Sequence, residues 1–143
     1  MGTSSAMSSR SLQYYVTARR WSSDLEFFKI ETAFLHRLMD DYFVPLCDKT
    51  YFEKFKTAGK ELLKLEKESA RADNLLIDQL KQVELMAEEI IPENAEDLAA
   101  NQVQLESLMT RLTLDYRDVK KQLFELVESV IRDNNKTIDL NAC

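Results

Sequence analysis

Apolar residues recur every seven positions along most of this chain, and the rows they form predict three long helices. The third helix is the most regular. Leu98, Leu105, Leu112, Val119 and Leu126 make one row, and Gln102, Met109, Tyr116, Leu123 and Val130 make another, offset by four. Five heptads with that seam point to coiled-coil-like packing. The pattern stops after Ile131, where Asp133, Asn134 and Asn135 predict an end. A second helix is predicted over residues 50–91, with Phe55, Leu62, Ser69, Leu76, Val83 and Ile90 as its row. Thr50 with Glu53 fits a capping box at its start, and Pro92, which lacks an amide donor, stops it. Asn94 is placed to cap the helix that follows.

The first helix has two candidate starts. Ser23 with Glu26 fits a capping box. Against that, Tyr14 and Ala18 extend backwards the rows Trp21, Phe28, Leu35, Tyr42 and Leu25, Thr32, Met39, Leu46. Length decides. At about 1.5 Å per residue the second and third helices each reach about 60 Å. A first helix from Ser23 covers half of that and leaves Leu76, Leu80, Val83, Leu105, Leu108 and Met109 bare. A helix over 11–44, turned by Pro45 and Asp48, covers most of them. The predicted fold is therefore all-α: an up-down-up bundle of three long antiparallel helices with heptad packing, over residues 11–136. Residues 1–10 look like a disordered or expression-derived leader, and 137–143 like a frayed tail.

Composition agrees with few, long helices, because the chain has only two Gly and two Pro to punctuate it. Two cysteines, Cys47 and Cys143, make no disulfide framework and point to a reduced, cytoplasmic setting. No apolar run approaches the roughly 18 residues that a membrane span requires. The net charge of −6 speaks against a nucleic-acid partner, which would need a basic face.

That charge is unevenly placed. Residues 82–110 hold seven acids, Glu84, Glu88, Glu89, Glu93, Glu96, Asp97 and Glu106, and no base. Without those seven the chain would carry +1. In the predicted layout Arg10, Arg19 and Arg20 face this acidic end, in exposed pairs worth roughly 0–1 kcal/mol each. The remainder is a solvated tip, a docking surface for a basic protein, or a loose divalent-cation site. Its docking residues would be Glu88, Glu89, Glu93, Glu96 and Asp97, although their spacing is not that of an EF-hand loop.

Polar residues also interrupt the seams. Counted outward from Pro92, Ser69 and Tyr116 fall at one level and are expected to satisfy each other. Gln79, Gln102 and Thr32 are further breaks, of the kind that fix register. The aromatics are lopsided, with eleven of thirteen before Gly59. Helix one is apolar around more than the roughly 100° that a simple bundle buries. Either it is deeply buried between the other two, or Phe27, Ile30 and Phe34 form a self-association face, or these aromatics line a ligand pocket.

Catalysis finds little support. One histidine, His36, without a Glu three residues before it, does not make a di-iron motif. Cys47 lacks an evident base, and no Gly-rich phosphate loop is present. Glu31, beside Phe27 and Phe34, is the most unusual acid, and calls for Lys29 or a base from another helix. The segment with Trp21, Leu25, Phe27, Phe28, Lys29, Glu31 and Phe34 resembles a pattern in small, uncharacterised bacterial all-helical proteins. That resemblance implies a helical bundle and carries no activity. The layout with an early Trp is also similar to spectrin repeats, whose helices are shorter. The expected function is a non-catalytic interaction or scaffold protein, homo-oligomeric and most simply a dimer through helix one, without a cofactor. The alternative is a bundle that binds a divalent metal or small ligand through Glu31 or the acidic tip.

Overall fold

The chain is all-α. The computed structural model describes residues 9–91 and 96–141, with side chains to 135, and no strand occurs among them. The helices are α1 (Ser9–Asp41), α2 (Phe43–Leu46), α3 (Phe52–Ala87) and α4 (Glu96–Asn141). Among the described residues four helices thus stand where three were expected, the addition being the single turn α2. Pro45 fits there because first-turn amides have no partner within their helix, so its missing donor costs nothing.

α1 begins at Ser9, which rules out the start at Ser23. Ser11, Ala18, Leu25 and Thr32 form a buried row beside buried Trp21, Phe28 and Leu35. At the start of α3 the cap comes from Asp48 and not from Thr50. The Thr50 N–H donates to Asp48 Oδ1 at 3.0 Å, and the amides of Tyr51 and Phe52 donate to the Asp48 carbonyl, both at 2.9 Å. The chain is already turning at Asp48, so the first orphan amides fall within reach of its carboxylate.

α3 stops at Ala87, before the proline. The Glu89 amide donates to the Met86 carbonyl at 3.0 Å and the Ile90 amide to the Leu85 carbonyl at 2.8 Å. Glu89 between them takes φ 63°. These are the two bonds of a Schellman motif, which satisfies the last carbonyls with a left-handed residue after the helix. Ile90 therefore leaves the predicted core row and is 63% exposed. Pro92, Glu93 and Asn94 lie outside the described residues. α4 runs on to Asn141, past the end predicted at Asp133. Residues 131–135 are exposed, so the loss of apolar rows ends burial there but not the helix. No Gly or Pro follows Ile131 to break it.

The chain divides into two compact units, unit 1 (Met1–Phe28 with Lys67–Thr113) and unit 2 (Lys29–Glu66 with Leu114–Cys143). In unit 1, Val83, Met86 and Leu98 cluster, with Tyr14 and Ile91 against them. In unit 2 the cluster is Leu46, Phe55, Leu126, Val127 and Val130, with Leu38, Met39, Tyr42 and Tyr51 packed on it. The predicted α4 rows are buried throughout except at Gln102, which is partly exposed. α3 has a second buried row that the pattern concealed: Ala58, Leu65, Ala72, Gln79 and Met86. Two alanines and a glutamine hid it, since small and polar residues do not register as apolar repeats.

Candidate interaction surfaces

The buried positions of α1 repeat as 11, 18, 25, 32 and 21, 28, 35, which fixes the side of the helix that faces the core. Phe27, Ile30 and Phe34 follow one another at steps of three and four on the opposite side. They are 54%, 67% and 48% exposed, whereas the adjacent Phe28 and Leu35 are buried. Deep burial of all of helix one, one of the sequence expectations, is therefore not what the fold provides. Phe34 meets Phe124 edge-on, with ring centroids 6.2 Å apart and planes at 86°. Lys120 Nζ lies 5.7 Å from the Phe124 centroid and donates to Glu31 Oε1 at 2.9 Å. Lys120 of α4 is thus the base that Glu31 called for, and it holds that carboxylate in a half-buried pair.

The acidic end is built differently. Glu88 and Glu89 are exposed on the closing turn of α3, and Glu96 and Asp97 are exposed in the first turn of α4. The α4 pair suits the positive end of its helix dipole, while the α3 pair opposes the negative end of its own. Glu93 lies outside the described residues. Arg10, Arg19 and Arg20 are exposed and form no ion pair with a described acid, contrary to expectation. Helix periodicity gives their level along α1, but long exposed arginines have no burial to fix where they point.

The polar seam also differs from expectation. In unit 2 the Tyr116 hydroxyl pairs with Thr32 Oγ1 at 2.6 Å, both groups buried. Ser69 Oγ, the expected partner, is buried with no hydrogen-bond partner among the described residues. Gln79, fully buried in unit 1, donates through Nε2 to the Leu98 carbonyl at 3.2 Å and to Gln102 Oε1 at 3.1 Å. Gln79 and Gln102, two of the polar seam breaks, are therefore bonded to each other.

The residues weighed for chemistry are scattered. His36 Nε2 bonds Glu66 Oε1 at a half-exposed position of unit 2, and Cys47 is an exposed free thiol. Among the described residues no three His, Cys, Asp or Glu side chains are grouped to hold a metal ion. Nor, among them, is any helix long and apolar enough to cross a membrane. Two grooves went unpredicted. One, in unit 2, is lined by Glu53, Lys54, Glu125, Glu128 and Arg132, of which Arg132 and Glu128 pair at 3.1 Å. The other, in unit 1, has Arg71 and Arg111 at its edges.

No protein-family model, curated protein or solved structure matches the chain.

Proposed function

We propose that this chain is a non-catalytic helical interaction protein that self-associates through the outer side of α1. The observation that carries the reading is the exposure of Phe27, Ile30 and Phe34 on the side of α1 turned away from its buried rows. Three large apolar side chains in one strip, extended by half-exposed Phe124, are what an interface needs and what a lone surface disfavours. One strip meeting its own copy gives an isologous pair, so a dimer is the simplest assembly.

The reading includes an up-down-up course for α1, α3 and α4 with coiled-coil-like contacts. Residue pairs within each unit support it. In unit 1, Gln79 meets Gln102 and Val83 clusters with Leu98, so numbers rise on α3 as they fall on α4. In unit 2, Glu31 pairs with Lys120 and Phe34 with Phe124, so α1 and α4 rise together.

Ile30→Asp tests the reading, because Ile30 is the most exposed of the three and its loss leaves the buried rows intact. Sedimentation in about 0.5 M salt screens surface charge and leaves apolar contact in place. The variant is expected to keep its helix content and to raise the dimer dissociation constant at least tenfold, about 1.4 kcal/mol. Unchanged association of the variant would refute the α1 interface.

A further inference from the structure

On unit 1, Arg71 and Leu75 of α3 and Val103, Ser107, Leu108 and Arg111 of α4 line a groove of about 330 Å³. Its floor is apolar, with Leu108 buried and Leu75 half-buried, and Val103 stands 67% exposed at the edge. Both arginines are exposed, and neither forms an ion pair with a described carboxylate. A planar guanidinium with five donors binds a carboxylate bidentately, and two of them beside an apolar floor select an acidic ligand with a greasy part.

The chain itself displays such a group. Glu88, Glu89 and Ile90 sit together on the turn that closes α3, and Ile90 is 63% exposed. Two backbone hydrogen bonds hold this turn and set its direction. From Arg71 to Glu88 the path runs up α3, about 25 Å of helix, so no molecule can fold its own turn back into its own groove. We infer that the turn of a second copy docks there, with Glu88 and Glu89 on Arg71 and Arg111 and Ile90 against Leu75, Val103 and Leu108. Charge complementarity names the occupant: the turn belongs to a stretch of seven acids with no base, and the groove offers two arginines that pair with no described carboxylate. Because turn and groove lie on the same unit, a two-fold axis between them makes the contact reciprocal and closes this contact at a pair. The uncompensated acidic end then has a purpose in assembly.

The experiment uses the full chain carrying Ile30→Asp, so that the α1 strip does not contribute and the two proposals fail separately. Three proteins are compared by sedimentation at about 20 mM salt, where exposed charges act over tens of ångströms. They are this parent, the parent with Arg71→Glu and Arg111→Glu, and the parent with Glu88→Lys and Glu89→Lys. All four substituted positions are exposed, and circular dichroism checks that each variant is folded. The parent is expected to pair, with at least tenfold weaker association at about 0.3 M salt. Each charge-reversed variant alone should be monomeric, and an equimolar mixture of the two should pair again. A folded parent that stays monomeric at low salt, a reversed variant that pairs as well as the parent, or a mixture that stays monomeric overturns the inference.

Discussion

Glu89 at φ 63° occupies a left-handed conformation that costs a residue with a Cβ roughly 1–2 kcal/mol and glycine almost nothing. Glu89→Gly also removes an anion from the negative end of α3. The variant is expected to be more stable by about 1 kcal/mol in urea denaturation, and a loss of stability would mean that the turn is not the one described. The buried Thr32 and Tyr116 hydroxyls give a second prediction at this scale. Thr32→Val and Tyr116→Phe should each cost about 1–2 kcal/mol, since each removes the hydrogen bond between two buried hydroxyls. The double variant should cost about 1 kcal/mol less than the sum, and strict additivity would contradict the pair. That Tyr116 needs a polar partner was legible in the sequence, because a phenol lay on an apolar row. Which partner it takes was not. Counting from Pro92 gives the level of Ser69 along α3 but not the rotation of its side chain, and Thr32 on α1 was an equally good break in a row.

Between residue and molecule stand the helix ends, and here the sequence was least informative. The buried rows of α1, α3 and α4 each rest on many apolar side chains, so the repeats at Trp21, Leu62 or Leu112 were readable without structure. An end depends on two or three hydrogen bonds. Thr50 and Glu53 had the residue types of a capping box, yet Asp48 reaches the free amides first. The backbone amide of Thr50, then its side chain, hold the Asp48 carboxyl below its ordinary value of 3.8. A carboxyl lowered in the folded state contributes stability that is full above that value and is lost as pH falls through the folded one. Asp48→Ala should therefore unfold at lower denaturant than the wild type at pH 7, and the gap should narrow as pH drops below about 4. A gap independent of pH would show that the cap does not act through its charge. At the far end, Asp133 lies within α4 and not at its close. Its carboxylate receives the Tyr51 hydroxyl, which ties α4 to the start of α3. Polar composition there marks the end of burial and not the end of the helix.

For the molecule as a whole, the neighbours Phe34 and Leu35 separate surface from core. Leu35→Asp places a charge at a fully buried site and should unfold the chain, whereas Phe34→Asp should stay helical and lose self-association. Circular dichroism with sedimentation reads both outcomes, and equal damage from the two would place Phe34 in the core. The excess of apolar groups on α1 was visible from residue counts alone. The strip they form became definite only once Trp21, Phe28 and Leu35 had fixed the buried side. The groove at Arg71 and Arg111 was not legible, because its residues are distant in sequence and ordinary on their own helices. The most direct test of the central claim is the solution mass of the wild-type chain at tens of micromolar in about 0.5 M salt, where apolar contacts persist and ionic ones are screened. The α1 interface requires twice the chain mass of 16.6 kDa, about 33 kDa. A folded wild-type chain that sediments at 16.6 kDa under those conditions would contradict it.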